Sequence, residues 1–87
     1  MRGECYICGK YANLEKHHVY GGARRSISEH YKRVVYLCHE CHNELPNGVH
    51  HNKIVRLWLQ EDMQRKLMKK YNWSVQDFVS RFYKNYI

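Results

Sequence analysis

The side chains best suited to chemistry in this sequence are four cysteines and seven histidines, and both kinds are clustered. The cysteines fall as two pairs, Cys5-x-x-Cys8 and Cys38-x-x-Cys41. This spacing lets both thiolates of a pair reach one tetrahedral ion, and two pairs complete a four-thiolate shell suited to structural zinc. Two disulfides are the competing use of the same residues. The segment Met1-Arg2-Gly3-Glu4-Cys5 has neither the apolar core nor the cleavage pattern of a secretory leader. A reducing, cytoplasmic setting is therefore expected, and there metal is favoured over disulfide.

Six of the histidines fall in three places: His17-His18, His39 with His42, and His50-His51. Imidazole is a common metal ligand and a proton acceptor near neutral pH, so this clustering points to a second metal site, a base, or both. His30, alone in a loop, and His39 are given no role. Arg24 and Arg25 follow the first histidine pair. A guanidinium there can grip a phosphate oxygen with its fork of donors; a solvated loop is the plain alternative.

These residues need elements to hold them. Gly3 to Gly9 reads as a zinc knuckle, too short for independent structure, with Gly9 free to take a positive φ. Leu14 to Tyr20 reads as a strand ended by Gly21-Gly22, and the polar stretch Ala23 to Arg33 as a loop without clean periodicity. Val34 to Leu37, β-branched and aromatic, is expected to pair antiparallel with the strand of His17 and His18 and to deliver Cys38 at its end. His39 to Leu45 then forms a short helix stopped by Pro46-Asn47-Gly48.

A long helix is expected from Asn52, its N-cap, to Tyr71. Val55, Leu59, Met63, Leu67 and Tyr71 recur every four residues, and Ile54 and Trp58 widen the stripe, which reads as core rather than as a cofactor site. Ser74-Val75-Gln76-Asp77 resembles a capping box and opens a last helix through about Tyr83. With no repeat or low-complexity tract, the chain reads as one α+β domain over residues 1–87, a zinc-supported core at 1–51 and a helical part at 52–87. A chain of 87 residues buries a modest fraction of its surface, so support from a metal is expected.

The formal net charge is +7. It stays at about +5 once four zinc-bound thiolates and their ion are counted. Such a surplus points to a polyanionic partner, most often nucleic acid. From Asp62 onward there are six basic and two acidic residues, which can form a phosphate-contacting face or simply a solvated helix surface. No apolar run is long enough to span a membrane, and no membrane partner is expected.

A Cys-x-x-Cys pair, a His-His pair on a strand, and a strand running into Leu37-Cys38-His39-Glu40-Cys41-His42-Asn43 together resemble the HNH, or ββα-metal, endonucleases over roughly residues 3–52. The continuation Gly48-Val49-His50-His51-Asn52 is similar to the recombination enhancement nuclease group of phages and prophages. The resemblance implies a two-stranded hairpin followed by a helix, clasping one divalent ion (Mg²⁺, Mn²⁺, Ni²⁺ or Zn²⁺) at the scissile phosphate. It implies that His18 is the general base and that His17 and His42 are metal ligands. It further implies DNA as substrate, a recombinase filament as a further partner, and the cytoplasm of a bacterial host as the setting if the chain is phage-encoded.

Two positions depart from the family pattern. An asparagine five residues before the second cysteine pair orients the strand of the base in the family; here that position is Arg33, which leaves the task to another group such as Asn43, or the base less firmly held. Many members carry another histidine four residues after the first on the helix, where this chain has Pro46. The missing ligand is then expected beyond the turn, from His50 or His51, with the Gly-Val-His wording favouring His50. The sequence thus predicts a metal-dependent DNA endonuclease. Its rivals are a non-catalytic, zinc-stabilised nucleic-acid-binding module and an adaptor in a phage recombination complex.

Overall fold

The computed structural model describes Met1–Ile87 and is an α+β arrangement with two small antiparallel sheets. The first sheet pairs β1 (Arg2–Glu4) with β2 (Tyr11–Asn13), Gly3 lying opposite Ala12. The knuckle is therefore the tip of a hairpin rather than a free turn. The Cys5 amide donates to the Lys10 carbonyl at 2.9 Å and the Gly9 amide to the Cys5 carbonyl at 2.9 Å. Gly9 sits at φ +79, in the left-handed region where a side chain is costly.

The second sheet pairs β3 (Glu15–His18) with β4 (Val34–Leu37), placing Glu15 opposite Leu37, His17 opposite Val35 and His18 opposite Val34. The antiparallel pairing expected from the sequence is present, though β3 is shorter than the stretch Leu14 to Tyr20. A Tyr6 amide bond to the Tyr36 carbonyl, 3.0 Å, ties the knuckle to β4.

Between β3 and β4 the expected loop at 23–33 is instead structured, as a 3-10 turn over Gly22–Arg24 and helix α1 over Arg25–His30. Six residues are too few to display helical periodicity, and the helix is held by tertiary bonds. Ser28 is fully buried; its Oγ accepts from the Tyr20 amide at 3.0 Å and donates to the Tyr20 carbonyl at 2.8 Å. That clamp locks α1 against the end of β3.

Helix α2 (His39–Asn43) begins directly after Cys38 and ends two residues earlier than Leu45, where Glu44 turns extended. The chain then doubles back. The Gly48 amide donates to the Glu44 carbonyl at 2.7 Å, and a Cβ at Gly48 would meet that same oxygen at 2.5 Å, so only glycine fits this return. Val49 donates to the Cys41 carbonyl at 2.8 Å and His50 to the His42 carbonyl at 3.2 Å.

Helix α3 (Lys53–Tyr71) starts where the sequence places it, the Asn52 side chain capping the Val55 amide. Leu59, Met63 and Leu67 are buried as expected, but Ile54 is 81% and Trp58 52% exposed. The buried face widens in the opposite direction, through Gln60 and Gln64. Gln60 Nε2 donates to the Val19 carbonyl, while the fully buried Gln64 bonds Asn85 Oδ1 at 2.8 Å and the Tyr86 amide at 2.7 Å. Hydrophobic pattern reading misses this because satisfied amides can occupy a core that apolar counting assigns to Ile and Trp.

Helix α4 (Val75–Phe82) opens on a full capping box between Ser74 and Asp77. Its Phe78 and Phe82 are fully buried, stacked at 4.4 Å, with the Tyr20 ring 4.9 Å from Phe82. This aromatic cluster seats the helical part beneath the end of β3, where the histidines emerge. No helix is long and apolar enough to cross a membrane.

Candidate metal centres and the histidine pocket

Sγ atoms of Cys5, Cys8, Cys38 and Cys41 lie within 4.8 Å of one another, drawn from the knuckle and from the start of α2. All four are free thiols, and Cys8 Sγ stands 3.8 Å from Cys38 Sγ. Thiolates bound at about 2.3 Å to a tetrahedral ion sit about 3.8 Å apart, so the donor set fits zinc. Burial works to raise the Cys5 thiol, but backbone hydrogen bonds involving Cys8, Cys38 and Ile7 outweigh it and bring it down to about 6. Burial pushes Cys38 and Cys41 up; the Cys5 and Cys8 thiols add to it at both positions, whereas Cys41 draws Cys38 back down. One ionised sulfur thus discourages the next, and a divalent cation removes that conflict.

The consecutive residue, His42, faces a second group. Ring nitrogens of His17, His42 and His50 lie within 4.8 Å of one another, with His42 Nε2 and His50 Nε2 2.9 Å apart. Nitrogens bound to one ion at about 2.0–2.1 Å sit a little over 3 Å apart, so the three can hold a metal. His17 comes from β3, His42 from α2, and His50 from the segment folded back by Gly48. His51 is exposed and outside the group.

His17 carries the sharpest indication. Its Nε2 is buried without a hydrogen-bond partner, and orphaned buried polar atoms are rare. Burial, reinforced by the imidazoles of His50, His42 and His18, lowers its pKa to about 4. Burial also lowers His50. Both rings are therefore neutral at neutral pH, the form that coordinates metal.

Glu15, which the sequence reading passed over, organises this group from behind. Its Oε1 lies 2.8 Å from His42 Nδ1 and accepts from Asn43 Nδ2 at 3.0 Å, while Oε2 lies 2.9 Å from His39 Nδ1. His42 first, then His39, hold the Glu15 carboxyl below the usual range, and Glu15 in turn raises His39. An ionised carboxylate on Nδ1 leaves the His42 Nε2 lone pair for a metal. The available signal was strand alternation, because Glu15 and His17 are two apart and share a face. Through Glu15, Asn43 also grips the strand that bears His18. Arg33 turns elsewhere, its Nε donating to the Tyr31 carbonyl at 3.0 Å.

His18 stands apart from the three-histidine group, its Nε2 2.8 Å from Glu29 Oε1 on α1. Both neighbours nonetheless border one cavity of about 270 Å³, lined by Lys16, His17, His18, Gly21, Gly22, Arg25, His42 and His50 with no hydrophobic residue. Arg25 is therefore beside the histidines. Arg24 is not, its Nε donating to the Phe82 carbonyl at 2.7 Å and fastening α4. Lys16 and Glu29 were also missed: Lys16 is one charge among fifteen Lys and Arg, and Glu29 lies on a helix the pattern did not reveal. Chemically the arrangement offers a three-nitrogen cation site, a fourth imidazole, and two cationic side chains around a polar hollow. No family model, curated protein or solved structure matches this chain.

Proposed function

We propose that the chain is a metal-dependent DNA endonuclease of the HNH, ββα-metal kind, associated with phage or prophage recombination. The observation that carries the reading is the shared cavity: His17, His42 and His50 converge on one side, His18 borders the same hollow, and Lys16 and Arg25 line it. A phosphodiester is anionic and resists attack by water, so its hydrolysis needs a proton acceptor and neutralising charge together. His18 takes the proton from the attacking water. Lys16 and Arg25 hold the phosphate oxygens, Arg25 with a fork of donors.

His17, His42 and His50 would hold the divalent ion, with Glu15 fixing the His42 tautomer. When bound, that ion supplies Lewis-acid charge neutralisation on the phosphate and leaving oxygen. Three imidazoles suit Zn²⁺ or Ni²⁺ better than Mg²⁺, which prefers oxygen ligands. The four cysteines hold a structural zinc that keeps α2, and hence His42, in place.

The experiment is plasmid nicking with Mg²⁺, Mn²⁺, Ni²⁺ or Zn²⁺, alone and with a recombinase filament. Wild type is expected to nick, and His18→Ala to nick roughly 10²- to 10⁴-fold more slowly, the usual contribution of a positioned base. Absence of nicking under every condition removes the nuclease reading, and equal nicking by His18→Ala removes the base.

One contact favours a second reading. The 2.9 Å separation of His42 Nε2 and His50 Nε2 is also a hydrogen-bond distance, so this pair can satisfy itself without an ion. A non-catalytic, zinc-stabilised nucleic-acid-binding module follows from that view. Metal content separates the two: one zinc per chain supports the module, a second exchangeable ion the enzyme.

A further inference from the structure

His18 is placed by more than its strand. Its side chain is 16% exposed, and Nε2 lies 2.8 Å from Glu29 Oε1, an oxygen that Lys16 Nζ also reaches at 2.5 Å. Glu29 follows directly on Ser28, whose buried hydroxyl is bonded twice to the Tyr20 backbone just beyond β3. The carboxylate's anchor is therefore fixed to the strand that carries His18. Lys16 first, then His18, hold the Glu29 carboxyl below the usual range, so it is ionised at neutral pH.

An ionised carboxylate can only accept hydrogen bonds. The imidazole nitrogen facing it must therefore carry a proton, which in the neutral ring leaves the lone pair on the other nitrogen. We infer that Glu29 is the positioning residue of His18, its carboxylate holding the ring as the Nε2–H tautomer so that Nδ1 is the proton-accepting atom. The assignment rests on the nuclease reading for its effect on rate, but not for the hydrogen bond itself.

Glu29 is about half exposed, its side chain 48% accessible, so substitutions there leave the core untouched. The test combines long-range ¹H–¹⁵N correlation of the His18 ring with nicking kinetics, on zinc-loaded wild type, Glu29→Gln and Glu29→Ala. Wild type should show Nε2 protonated, with a downfield, slowly exchanging Nε2 proton. Glu29→Gln, whose amide oxygen still accepts, should keep that proton and most of the rate. Glu29→Ala should lose the proton signal and drop kcat about 10- to 100-fold, part of what a positioned base supplies.

A wild-type ring protonated at Nδ1 overturns the proposal, as does Glu29→Ala with signal and rate intact. Nicking that requires His18 but ignores Glu29 sinks the positioning role and leaves the nuclease reading standing. A Glu29-dependent ring signal in a chain that never nicks does the reverse.

Discussion

Cys41 and His42 are neighbours in the chain, yet they belong to two donor groups of opposite design. The cysteine centre is closed: four sulfurs from the knuckle and the start of α2 surround one point, Cys5 and Cys38 being buried. The histidine centre is open, with three nitrogens around one point and a polar cavity alongside. Four filled positions suit a metal that holds structure, while three protein ligands leave room for substrate or water. Protonation differs in the same sense. Burial pushes the Cys38 and Cys41 thiols up, so a cation must displace their protons, whereas His17 is already stripped by its surroundings.

The largest test of that contrast is Cys38→Ser. Structural zinc in small domains carries on the order of 10 kcal/mol of folding energy. Circular dichroism and denaturant titration should show loss of cooperative folding, with zinc released. A variant that stays folded and merely loses the second metal would invert the assignment of the two centres.

Next in size is Glu15→Ala, which removes the carboxylate behind His42. Loss of such a partner costs about 10- to 100-fold in metal affinity, seen by competition titration at the histidine centre. The cysteine-bound zinc should remain at one per chain. Equal weakening of both ions would mean that Glu15 supports α2 as a whole rather than the tautomer of one ligand.

A smaller effect concerns pH, in zinc-loaded protein with no metal added for the histidines. Folded His17 has its pKa near 4 against an ordinary 6.5, so on acidification the unfolded chain takes up the proton first. The stability contributed by neutral His17 is complete above pH 6.5 and is lost as pH falls towards 4. Between pH 7 and 5.5 the loss is about 1 kcal/mol. Denaturation midpoints should show this slope in wild type and its absence in His17→Gln; a slope unchanged in the variant assigns it to other groups.

His51→Ala should do least, altering stability by less than about 0.5 kcal/mol and leaving the second metal in place, because the side chain is exposed and outside the group. Loss of that metal in His51→Ala, with retention in His50→Ala, would redraw the ligand set.

Local signals were strong where a few adjacent residues carry the whole physics. The Val34–Leu37 strand, the Asn52 cap and the Ser74–Asp77 capping box stand where their residue types placed them: the caps are bonds within one turn, and the strand is a run of β-branched and aromatic residues suited to a sheet. The Cys-x-x-Cys spacings were legible for the same reason. Helix α1 was not, since its support is the Ser28–Tyr20 clamp from outside the segment. The exposure of Ile54 and Trp58 was equally hidden. Only the seating of Gln60 and Gln64 against distant backbone decides which face of α3 turns inward.

The donor chemistry is legible along the chain: two thiolate pairs at metal-binding spacing, and histidines grouped on a strand, on a short helix and beyond a proline turn. Tertiary structure alone decided which donors meet. It selected His50 over His51 through the tight return at Gly48, and set Glu15 behind His42 and Glu29 beside His18. It also drew Arg24 away to Phe82 while leaving Arg25 at the cavity. The reason is range: a ligand's type and local spacing are written in neighbouring residues, whereas hydrogen bonds between segments tens of residues apart form only once the core has packed.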